Sequence, residues 1–125
     1  MKLEVSQAIE ELKRKFPDSV LTFEDDGSGG ARVLLENMDV GPKLSPSRTW
    51  LAAHIPGQYP YADIYPVFMG REVSRADGKP FEVPITAVNY GDKPAWQVSR
   101  RSQQAQLKQP AHAKFMKVID FLRNL

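Results

Sequence analysis

The chain has 125 residues, of which 42% are hydrophobic and 26% charged, and its formal net charge is +2. That size and balance describe a single soluble domain, residues 1–125, able to bury its own core, and the charge is too small to argue for a nucleic-acid or membrane partner. There is no cysteine and only two histidines, His54 and His112, which excludes disulfides, thiolate zinc sites and thiol nucleophiles and leaves no metal centre or cofactor to expect.

Taken in chain order, residues 3–16 place Val5, Ala8, Ile9, Leu12 and Phe16 at the spacing of an amphipathic helix, and Pro17 stops it. The run 19–24 is rich in β-branched and aromatic residues and reads as a strand. The cluster 25–30, with three glycines and two aspartates, predicts a solvated hairpin tip. Residues 31–36 form the return strand, 41–46 a loop, 49–55 a third strand and 64–69 a fourth. His54 alternates with apolar neighbours and reads as a satisfied core or rim histidine.

Beyond Gly70 the periodicity fades. Pro80, Pro84 and Pro94 interrupt residues 79–94, so an irregular segment is expected there, with at most a short strand over 95–99. Residues 103–109 are polar without a pattern. Pro110 then opens a last helix, with Phe115, Val118, Ile119 and Leu122 on one face and His112 exposed in its first turn. No apolar run is long enough to span a bilayer and the N-terminus lacks a hydrophobic signal core, so cytoplasmic residence is expected. The predicted class is α+β: an N-terminal helix, a four-stranded antiparallel meander and a C-terminal helix.

Two segments stand out chemically. Between the third and fourth strands lie Pro56, Gly57, Tyr59, Pro60, Asp63, Tyr65 and Pro66. Fixed φ angles cut the entropy lost in ordering such a connection, and the tyrosines can bury their rings while their hydroxyls find polar partners. A rigid structural turn is therefore the reading for this stretch. The second segment runs from Trp96 through Ser99, Arg100 and Arg101 to Ser102. Two guanidiniums beside an aromatic plane suit a carboxylate or an acidic partner surface, with Arg100 the first choice of contact and Arg101 the second. The plain alternative is a solvated strand end with Trp96 in the core.

The helix–meander–helix order, the Tyr59-Pro60 turn and Pro66 just before the fourth strand resemble the ubiquitin-conjugating (E2) superfamily and its non-catalytic RWD relatives. The Pro56-Gly-Gln-Tyr-Pro60, Asp63-Ile-Tyr65 and Trp96-Gln-Val-Ser-Arg-Arg101 segments, with His112, Val118 and Leu122 in the last helix, are similar to the bacterial group called prokaryotic E2 family E. The resemblance implies a UBC/RWD-like fold and partners in a ubiquitin-like conjugation pathway: a ubiquitin-like protein, an E1-like enzyme or a JAB-type peptidase. An E2 carries its cargo as a thioester on one cysteine, which this chain lacks. Two explanations stay open, a natural member without catalytic cysteine or a transferase whose cysteine has been replaced, in which case Ser74, Ser99 and Ser102 are the candidate positions. The natural, non-catalytic member is the preferred reading. An unrelated α+β structural module is the remaining alternative.

Overall fold

The computed structural model describes residues 1–101 and 109–125. Ser102 and most of the polar stretch after it lie outside the described residues. The order of elements is α1 (Leu3–Lys15), β1 (Leu21–Asp25), β2 (Ala31–Asp39), β3 (Leu44–Ser45), β4 (Arg48–Ile55), β5 (Val67–Gly70), β6 (Ser74–Arg75), β7 (Ile85–Tyr90), β8 (Lys93–Val98) and α2 (Ala111–Arg123). The class is α+β, with an N-terminal and a C-terminal helix and an antiparallel sheet between them in the chain.

The sheet is larger than the sequence suggests. Six strands run in the order β1-β2-β4-β5-β8-β7, and β3 pairs with β6 in a separate two-stranded ladder. The four-stranded expectation covers only β1, β2, β4 and β5. The short strand expected over 95–99 is β8, which adds beside β5 through Val67↔Val98 to Gly70↔Ala95; what the expectation lacks is β7 and the hairpin it forms with β8. Two residues, Gly91 and Asp92, join its strands, and Gly91 has φ +62, as a tight hairpin turn with glycine first requires. The prolines are compatible with it. Pro84 precedes β7. Pro94 pairs with Asn89 one step beyond the last β5 partner, at a position whose backbone groups turn away from β7.

One face of the sheet carries Ala31, Val33 and Leu35 of β2, Leu51, Ala53 and Ile55 of β4, Val67 and Met69 of β5, and Val98 of β8. These form a single buried cluster with Val5, Ile9 and Leu12 of α1 and Phe115, Val118 and Leu122 of α2. Strand alternation sorts these residues to one side, and both helices share that core. Phe16 packs against its margin. β2 keeps both Leu35 and Met38 buried through a bulge at which Asn37 takes φ +58, a left-handed conformation that asparagine tolerates. No helix among the described residues is long and apolar enough to cross a membrane.

Candidate partner-binding site

The connection from β4 to β5 is braced from below. Gly57 is buried, and a Cβ there would stand 2.5 Å from the Ser28 carbonyl; one on Gly30 would stand 2.3 Å from the Ile55 carbonyl. Glycine is required at both points because the turn lies directly on the β1–β2 hairpin. Short turns follow, with Tyr59 N–H donating to Pro56 and Tyr61 N–H to Gln58. The Tyr59–Pro60 and Tyr65–Pro66 peptide bonds are cis, and Ile55–Pro56 is trans. Tyr59 is half-buried and its hydroxyl donates to the Gln109 carbonyl at 3.3 Å. Burial, and then the nearby Glu11 carboxylate, push its phenol above the ordinary range.

The end of β8 is held down by α2. Lys114, Lys117 and Phe121 recur at i, i+3 and i+7 and so form one stripe of that helix. Lys114 is 6% exposed; its ammonium donates to Asp63 Oδ2 at 3.1 Å and to the Arg100 carbonyl. Lys117 donates to the Arg101 carbonyl at 2.8 Å. Burial lowers the Lys114 pKa, and Asp63 pulls it part of the way back. With their carbonyls fixed, the two arginines lay their guanidiniums on aromatic faces. Arg100 sits 4.7 Å from the Phe121 ring centre, and Arg101 sits 4.0 Å from that of Tyr65. Both arginines are exposed, and among the described residues no carboxylate lies within ion-pair distance of either. Stacking fixes the plane of a guanidinium and leaves its edge N–H groups directed outward, the geometry that accepts a carboxylate bidentately.

The sequence-derived residues divide accordingly. Tyr65, Asp63, Arg100 and Arg101 come together here. Trp96 does not carry Arg100. Its ring packs edge-on to Phe81 at 4.9 Å, its Nε1–H donates to the Val73 carbonyl at 2.9 Å, and Arg71 stacks on it at 5.3 Å. The Arg71 guanidinium also donates to the Ala95 and Val88 carbonyls, tying β5 to the β7–β8 hairpin. Ser99 accepts from Gln97 at 3.0 Å, and Ser74 donates to the Ser45 carbonyl at 3.3 Å inside the β3–β6 ladder.

Both histidines are engaged elsewhere. His54 is exposed on the rim, with Nε2 2.6 Å from Asp26. That contact, with the Ser28 and Gly30 N–H groups, holds the Asp26 carboxyl down to about 2. The hairpin tip is therefore internally bonded, not only solvated. His112 is half-buried, not exposed. Glu11 of α1 accepts from its backbone N–H at 3.1 Å and lies 2.9 Å from its Nδ1, capping α2 from the neighbouring helix. Lys114, Lys117, Phe121 and Arg71 are not among the sequence-derived site residues. For the first three the signal was available as a second periodic stripe on the last helix.

Among the described residues no group of three or more histidine or carboxylate side chains is placed to hold a metal ion. Compared with known proteins, the chain matches no family model, no curated protein and no solved structure.

Proposed function

We propose that this chain is a non-catalytic E2-like domain of the UBC/RWD type, of bacterial kind, that binds a member of a ubiquitin-like conjugation pathway. The observation that carries the binding role is the Arg100–Arg101 pair, mounted on Phe121 and Tyr65 with no carboxylate partner among the described residues. A charge-paired surface arginine would be satisfied already; these two present edges suited to an acidic group. A flexible tail ending in a carboxylate, as ubiquitin-like proteins carry, fits that chemistry. An E1-like enzyme or a JAB-type peptidase is the other partner class the resemblance implies.

Support for the E2-like reading comes from α1 leading into the successive strands β1, β2, β4 and β5, from the Tyr59-Pro60 turn and Pro66 before β5, and from both helices covering one face. The β7–β8 hairpin departs from the four-stranded pattern. Without a thiol the domain forms no thioester, and neither Ser74 nor Ser99 has a histidine within hydrogen-bond reach to activate it.

The test is incubation with an E1-like enzyme, ATP and its ubiquitin-like protein. The expected result is no reductant-cleavable adduct, together with a reversible complex seen by co-elution. A covalent, reductant-resistant adduct on Ser74, Ser99 or Ser102 would favour the replaced-cysteine transferase instead.

A further inference from the structure

The six-stranded sheet ends in two edges of different character. β1 carries Glu24 and Asp25, both exposed, and Asp25 Oδ2 accepts from the N-terminal ammonium at 2.9 Å. Charge of this kind is how soluble proteins block edge-to-edge pairing. β7 has no such guard. From Val83 through Tyr90 the chain reads Val-Pro-Ile-Thr-Ala-Val-Asn-Tyr, eight residues without a charge. Within β7 there is no proline, and Ile85, Thr86 and Val88 are β-branched residues that favour an extended strand.

The register shows which backbone groups face outward. The Ser99 N–H donates to the Pro84 carbonyl at 3.0 Å, so positions 86, 88 and 90 are the ones that exchange hydrogen bonds with β8. Positions 85, 87 and 89 therefore turn their N–H and C=O groups away from the sheet. The Ile85 N–H is taken by the Glu82 carbonyl at 2.9 Å. No described residue bonds the Ala87 or Asn89 backbone on that side, and both side chains are exposed and small enough to admit a neighbour.

We infer that β7 is an association edge and that its occupant is a second copy of this chain, paired antiparallel about a two-fold axis at Ala87. Self-pairing uses the groups this edge offers. Each Ala87 N–H meets the Ala87 carbonyl of the other copy, and each Asn89 N–H meets the other Ile85 carbonyl, which gives four hydrogen bonds with no need for the occupied Ile85 N–H. Thr86 of one copy then lies opposite Val88 of the other, a favourable cross-strand pair. Val83, which is 82% exposed, is carried toward the Gly91 turn of the other copy. Between residues 83 and 90 the two identical edges meet without like-charge repulsion, the acidic Glu82 and Asp92 lying beyond both ends, and the arrangement closes after two chains. The result is one continuous twelve-stranded sheet with the acidic β1 edges at its ends. A single six-residue edge makes a small interface, so the association belongs to the weak, concentration-dependent class.

Sedimentation equilibrium of the full chain, from about 10 μM to about 1 mM, reads this directly. A monomer–dimer equilibrium is expected. Ala87→Pro is the discriminating variant: it removes only an outward N–H and leaves every β7–β8 bond in place, so the fold survives while dimerisation weakens by about tenfold or more. Ala87→Lys, which sets two ammonium groups across the axis, should do the same, and circular dichroism checks that both variants remain folded. A chain that stays monomeric throughout, a dimer that both variants leave unchanged, growth beyond the dimer, or a monomer that takes up an unrelated extended peptide at β7 would each overturn the assignment.

Discussion

Replacing Lys114 with methionine isolates the buried cation beneath the arginine pair. Methionine keeps an unbranched apolar stem at this buried position, 6% exposed, and removes only the ammonium. Two charge-assisted hydrogen bonds go with it, to Asp63 and to the Arg100 carbonyl, each worth roughly 1.5–3 kcal/mol. On the ammonium itself burial outweighs these bonds, as its lowered pKa records, so the cost falls on Asp63 and the Arg100 carbonyl, which lose this donor. Asp63 retains 16% of its side-chain exposure, so water replaces some of what the ammonium supplied. The net expectation is a loss of about 2–3 kcal/mol, below the usual cost of breaking a fully buried pair. In melting temperature that is about 10 °C for a domain of this size. Urea denaturation of Lys114→Met, Asp63→Asn and the double variant gives the coupling directly, expected at about 1–2 kcal/mol. A pH series adds a second readout. Between the lowered folded value and the ordinary 10.5 the unfolded chain binds the proton more strongly, so wild-type stability rises with pH there relative to Lys114→Met. A neutral or stabilising Lys114→Met with no coupling would mean that the ammonium does not hold Asp63 and the end of β8 in place.

Three further outcomes follow from the same geometry. Asp26 is held at about 2 in the folded chain against an ordinary 3.8, so it contributes stability above about pH 4 that is lost as pH falls toward 2. Asp26→Asn should therefore melt lower than wild type at pH 7 and converge with it near pH 2; parallel curves would count against the hairpin network. Gly30→Ala drives a Cβ to 2.3 Å from the Ile55 carbonyl and 2.8 Å from the Gly57 nitrogen, and should cost upwards of about 2 kcal/mol. Gly27→Ala meets open space but keeps φ +78, and should cost only about 1 kcal/mol. Equal chemical-denaturation midpoints for the two would contradict the close approach. Glu11→Ala removes the acceptor that caps α2 and should cost about 1 kcal/mol by the same measurement.

The parts of the fold legible from sequence are those set by local periodicity. Val5, Ile9 and Leu12 at one end, and Phe115, Val118 and Leu122 at the other, mark both helices; alternation through Val33, Leu35, Leu51 and Ala53 marks the central strands. Of the β7–β8 hairpin only the strand over 95–99 is legible; Pro84 and Pro94 mask β7 and the pairing, although Gly91-Asp92 is a turn signature. Proline argues against a strand only where its missing N–H would face a partner, and the facing direction depends on register that a single sequence does not display. The site shows the same division. The two arginines were visible as a pair, but their aromatic supports are contributed by Tyr65 and Phe121, and a nearest-neighbour reading assigned Trp96 instead. His54–Asp26 and His112–Glu11 join residues 28 and 101 positions apart, beyond the reach of any local pattern.

Arg100 and Arg101 are proposed as the receiving surface for an acidic tail. Isothermal titration with a ubiquitin-like protein, intact and with its flexible tail removed, against wild type, Arg100→Ala and Arg101→Ala tests it most directly. Wild type should bind the intact protein and lose most of that affinity when the tail is absent. Arg100→Ala should weaken binding by about one to two powers of ten, Arg101→Ala by less, and Arg100→Lys should recover only part because it lacks the planar fork. Affinity that is indifferent to both arginines and to the tail, in variants with wild-type melting temperatures, would mean that the arginine pair does not receive the tail.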